Sequence, residues 1–180
     1  MCSARLRTVV WMVACLAAVA AMADSVLAQL DADAKPRVRS SHPYIRAMVA
    51  EASQRSTTFR GLVEAIEKSD GIVYVEQGEC SHRVTACLTL SIAATPGFRF
   101  LRVLVDARQP DWEVMASIGH ELRHALEVLS ESGIRSTEAI FLYYYREGMT
   151  MGETFETSAA IRAGNTVRNE VASFSKRRAF

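Results

Sequence analysis

The chain has no excess charge of either sign, few cysteines, few histidines and no second long apolar run. Its formal net charge is +1 over 180 residues. That is not the basic surplus with which a nucleic-acid binder neutralises phosphates, so no nucleic-acid partner is expected. The one local basic run, Lys176-Arg177-Arg178, stands at the extreme C-terminus and reads as a solvated tail. Only the stretch from Val9 to about Met22 is long and apolar, and it is short for a membrane-spanning helix. Internal repeats and low-complexity segments are absent from the sequence, and 49% of the residues are hydrophobic, enough for one ordinary domain with a real core.

The N-terminus has the pattern of a secretory leader. Arg5 and Arg7 precede the apolar stretch, and small residues mark cleavage sites after Ala23 or Ala28. The residues before Cys15 are a poor lipid-acceptor pattern. The expected organisation is a signal peptide over 1–28, a polar lead-in over 29–41 around Pro36, and a folded domain over 42–180. A secreted or periplasmic location follows, with no stable membrane anchor after cleavage. Cys2 and Cys15 leave with the leader. Cys80 and Cys87 remain, and in an oxidising compartment they are expected to close a small loop as a disulfide rather than bind metal or stay free.

Helical spacing is expected over Tyr44–Arg55 and Thr57–Lys68, the second with Phe59, Leu62, Val63 and Ile66 on one stripe. The period then shortens. Ile72–Val75, Val84–Ala93 and Phe98–Asp106 read as three strands, the last two a hairpin about Thr95-Pro96-Gly97. Asp111 is expected to cap a helix running to about Ser130 and ending by Gly133. A helix over Thr137–Glu147 and a long one over Gly152–Phe174 complete the chain. Segregated strands and helices of this order predict an α+β domain of about three strands packed by helices.

The chemistry concentrates in His120-Glu121-Leu122-Arg123-His124. On its helix, Val114, Ile118, Leu122, Ala125 and Leu129 form the core stripe. His120 and His124 lie one turn apart on another face, with Glu121 between the two faces. Two neutral imidazoles so spaced reach a single tetrahedral ion, and the adjacent carboxylate is free to take a proton from metal-activated water.

This motif, preceded by strands and followed by helices, resembles the zincin metallopeptidases. The resemblance implies Zn2+ held by His120 and His124, with Glu121 as general base. It also implies a peptide or small protein substrate, which an edge strand would hold by backbone pairing. The metzincin pattern needs glycine and histidine where this chain has Glu127 and Ser130, and only His42 and His82 remain as other histidines. The gluzincin pattern takes a glutamate from a later helix. Glu156 fits it, on a stripe with Ala160, Ala163 and Val167, and Glu153 is the rival. Tyr143, Tyr144, Tyr145 and Arg146 are candidates for an oxyanion donor, against a purely structural aromatic role. The implied function is an exported zinc-dependent peptidase. Two alternatives stand beside it: a zinc-binding domain without turnover, and a helix-rich interaction domain without metal.

Overall fold

The computed structural model describes residues 35–81, 84–147, 149–151 and 154–177. The expected leader, Cys2, Cys15, the first part of the lead-in (29–34), His82, Glu153 and Arg178 lie outside them. The chain divides into Met1–Pro36 and Arg37–Phe180, and the fold described is that of the second unit.

The described elements are β1 (Val38–Arg39), α1 (Pro43–Arg55), α2 (Thr57–Glu67), β2 (Gly71–Gln77), β3 (Ala86–Leu88), β4 (Ala93–Ala94), β5 (Arg99–Val105), α3 (Asp111–Ser130), α4 (Thr137–Glu147), β6 (Met149–Met151), β7 (Thr154–Glu156) and α5 (Ser158–Arg177). Mixed α and β content is as expected, with a five-stranded mixed sheet rather than three strands. Its order is β1-β2-β5-β3, with β4 also on β5. The β1, β2 and β5 strands run parallel, and β3 and β4 run antiparallel to β5.

Two expectations about the sheet need correction. Val38 and Arg39, assigned to the flexible lead-in, are built into the sheet beside Val73 and Tyr74. The Val84–Ala93 strand is broken into β3 and β4, each antiparallel to β5 as a hairpin requires. The centre of the sheet is β-branched and covered. Ile72, Val73 and Val75 on β2 are buried, as are Leu101, Val103 and Val105 on β5. Buried parallel strands read as near-continuous apolar runs for this reason.

Each helix start has a local cause. Pro43 opens α1 with its pre-set φ. Ser56 caps α2, its Oγ accepting from the Phe59 N–H at 2.9 Å. The α3 helix begins at Asp111 with Pro110 before it, so Asp111 is the first helical residue and not the cap. Its carboxylate instead accepts from the Tyr44 hydroxyl at 2.8 Å.

α3 is the central element. The stripe Val114, Ile118, Leu122, Ala125 and Leu129 is buried as expected, yet thirteen of its twenty residues are buried in all. The sheet covers one side and α5 another. The α3–α5 contact is close because small residues line it: a Cβ on Gly119 would meet Val167 at 2.9 Å, and one on Gly164 would meet the His120 Cβ at 3.0 Å. Arg168 of α5 clamps Glu113 of α3 with bonds of 3.0 and 2.7 Å. Glu170 binds the start of α2 through the Ser56 hydroxyl, Thr57 Oγ1 at 2.8 Å and the Thr58 N–H at 3.1 Å.

The other end of α3 is finished by one side chain. Arg99, on β5, is 2% exposed. Its guanidinium donates to the carbonyls of Val128 (3.0 Å), Leu129 (2.7 Å), Glu131 (2.8 Å) and Ile134 (3.2 Å). It also pairs with Asp70, at 2.7 Å from Nη2. Carbonyls at a helix end have no intrahelical donor, and a cation there also offsets the negative end of the helix dipole.

Candidate metal centre

His120 and His124 project from α3 with ring centroids 4.9 Å apart. The third carboxylate arrives differently from the expectation. Glu156 is not on a helix: it ends β7, in a small antiparallel hairpin where it stands opposite Met149. The α5 helix starts two residues later, so the expected helix start near Gly152 is corrected to Ser158. Glu156 nevertheless reaches the histidine pair. Its Oε2 lies 3.1 Å from His120 Nε2 and 3.7 Å from His124 Nε2. One donor atom from each of His120, His124 and Glu156 falls within 4.8 Å of the others.

These separations also fit a shared metal ion. Glu156 Oε2 is buried and has no partner in hydrogen-bond geometry, despite its nearness to both rings. Donors around a tetrahedral zinc, each about 2.0–2.1 Å from the ion, stand about 3.3 Å from one another. An orphaned carboxylate oxygen beside two imidazole nitrogens meets that requirement, and the N,N,O donor set is one that zinc takes.

The charges around the centre are coupled. Burial opposes a charge on His124, but Glu127 bonded to it, with Glu156 and Glu121 nearby, outweighs burial and lifts it to about 9. Burial likewise works to raise Glu156, but His120 and His124 overcome it and hold the carboxyl at about 2. The carboxylates around His124 thus favour positive charge at this place.

Glu121 is 6% exposed, more deeply set than a residue between two faces. Its Oε2 accepts from the Leu88 N–H at 2.6 Å, and its Oε1 is 3.9 Å from His120 Nε2. Burial pushes its carboxyl above the usual range, against the pull of His124, His120 and the Leu88 amide.

Several participants went unread in the sequence. His124 Nδ1 lies 3.0 Å from Glu127 Oε2, and Glu127 Oε1 accepts from Thr157 Oγ1 at 2.8 Å. Bonds to His124 and Thr157 hold the Glu127 carboxyl low, although burial works the other way. A carboxylate on Nδ1 fixes the tautomer that leaves Nε2 for a metal. The signal was present: Glu127 is three residues past His124, on the same helical face. Thr157 also accepts from the Ala160 N–H at 3.1 Å, as an N-cap does, so the start of α5 joins this chain of bonds.

The α4 candidates for an oxyanion donor resolve toward structure. Only Tyr144 lines the cavity at the centre. Its hydroxyl donates to the His124 carbonyl at 3.0 Å, and its ring stands edge-on to His124 at 5.5 Å. Tyr145 is 71% exposed, and Arg146 pairs with Glu147 at 3.0 Å. Cys80 and Cys87 form the expected disulfide, which lies in the wall of the same cavity of about 360 Å³. No family model, curated protein or solved structure matches the chain.

Proposed function

We propose that this chain is an exported zinc-dependent hydrolase of peptide bonds, with a zincin-like fold of the gluzincin type. The observation that carries the reading is the convergence of His120 Nε2, His124 Nε2 and the orphaned Glu156 Oε2 beside the buried Glu121 carboxylate. The edge strand β3 lies next to the histidine helix through the Leu88–Glu121 bond. The disulfide is compatible with an oxidising compartment, in keeping with a secreted or periplasmic location.

His120, His124 and Glu156 would hold the ion. A zinc so held lowers the pKa of water from about 15.7 to about 7 and polarises a carbonyl oxygen. Glu121 is placed to take the proton from the attacking water and return it to the leaving amine. Burial raises its carboxyl above the ordinary range and so strengthens it as a base. The Leu88 N–H holds one oxygen and leaves the other facing the histidines. Glu127 and Thr157 keep the His124 ring in place.

The deciding experiment compares the mature protein with Glu121→Gln and with His120→Ala/His124→Ala. One zinc per chain is expected in the parent and in Glu121→Gln, and none in the double histidine variant. Peptide hydrolysis should fall by roughly 10²–10⁴ in Glu121→Gln, the usual weight of a general base. Undiminished turnover in that variant would remove Glu121 from the mechanism. A parent that takes up no zinc would end the hydrolase reading.

A further inference from the structure

The cavity at the candidate metal centre has two unlike sides. Glu121, His124 and Glu156 form one. The rest is mainly apolar, with Glu79, Ser81 and Thr89 as its polar members, and comes from widely separated parts of the chain: Ala86, Leu88 and Leu90 on the edge segment, Leu104 on β5, Tyr144 on α4 and Phe155 on β7. The cavity's size, about 360 Å³, is near the lower end of ligand pockets, roughly 300–1,000 Å³. It has room for one large side chain and the peptide groups that flank it.

The edge segment is held as a wall rather than left as a free strand. The Cys80–Cys87 disulfide anchors it at Cys87, and both cysteines line the cavity. The Cys80 sulfur also sits 3.8 Å from the Leu104 carbonyl. Thr85 meets Ser117 of α3 at 3.2 Å. The β3 strand is only three residues long, and the N–H of Leu88 is already bonded to Glu121. Little of its backbone is left to hold a long extended peptide. Selection at this place therefore falls to side-chain burial.

We infer that the site selects substrates carrying one bulky apolar side chain beside the scissile amide, and that the edge segment over 84–90, anchored by the disulfide at Cys87, is the selecting wall. The inference rests on the zinc-hydrolase reading and specifies its substrate class.

The test uses zinc-loaded full-length mature protein and three amino-acid hydroxamates, the glycine, leucine and phenylalanine derivatives, with affinity read by calorimetry and zinc by elemental analysis. The leucine and phenylalanine compounds should bind roughly tenfold or more tighter than the glycine compound, as burying one such side chain requires. In Leu90→Glu, and separately in Cys80→Ser/Cys87→Ser, zinc content should be kept while that ratio collapses toward one. Equal affinity for all three compounds by a zinc-loaded parent would overturn the inference and leave the hydrolase reading standing. So would a ratio unchanged in both variants. A parent that binds neither zinc nor any hydroxamate would overturn both.

Discussion

Glu127 shows how much of the candidate centre depends on a residue that touches no expected metal position. It joins His124 Nδ1 to Thr157 through two bonds, both inside the protein. Replacing it with alanine frees the imidazole to rotate and to change tautomer. Zinc affinity of Glu127→Ala should fall about 10–100-fold, the usual cost of losing such a partner. A competition titration with a chromogenic chelator reads this directly, and an unchanged affinity would show that α3 alone orients His124. The histidine pair was legible because its spacing is a property of one helix. Glu127 was harder to read because its role depends on Thr157, thirty positions away, which no local pattern connects to it. Glu156 was named as a candidate ligand from a helical stripe that does not exist at that position. Its side chain reaches the histidines from the end of a strand.

At the scale of elements, the histidine helix is fastened at both ends by long side chains of opposite charge to the groups they meet. Arg168 of α5 holds Glu113 in its first turn, and Arg99 gathers the carbonyls of its last turn and the residues beyond. Arg99→Leu leaves those carbonyls without a donor and Asp70 without its buried partner. A loss of about 3–5 kcal/mol is expected, as when one member of a buried charge network is removed. Urea unfolding of the metal-free protein measures it, and a midpoint equal to the parent's would mean that water serves those carbonyls as well. The sequence showed α1 through α4 and the parallel core strands well, because their apolar periods are strong. It failed at β1 and at the β6–β7 hairpin. Two- and three-residue strands carry too few alternations to register, and their pairing is set by partners distant in sequence.

Across the whole molecule, acid should weaken the fold through particular pairs. Asp70 is held below its ordinary value of 3.8, chiefly by its hydrogen bonds to Arg99 and against the effect of burial. Glu170 is held below 4.5: burial would raise it, but bonds to Ser56, Thr57 and Thr58 prevail. A carboxyl depressed in the folded state binds fewer protons there than when unfolded. Its contribution is complete above the ordinary value and is lost as pH falls through the lower, folded one. Stability of the metal-free protein should therefore decline below about pH 4.5, and Asp70→Asn should flatten that decline. Urea midpoints measured between neutral pH and pH 3 check this, and parallel curves for parent and variant would remove Asp70 from the account. The mixed α and β content and the disulfide were legible at this scale because the order of apolar periods and the pair of cysteines carry them. The part that Gly119 plays in seating α3 against Val167 of α5 was not, since no local pattern shows which side chain a glycine faces.

Thr157 serves two structures at once: it accepts from the Ala160 amide at the start of α5 and donates to the carboxylate that steadies His124. Ion uptake at the candidate centre would then be linked to the closing of that first helical turn, each favouring the other by the same factor. Saturating zinc should slow deuterium exchange at the Ala160 amide more than at amides near the C-terminal end of the same helix. Equal slowing at both ends would mean that the helix responds as one body. No slowing at either end would mean that occupancy of the centre and fraying of that helix are independent.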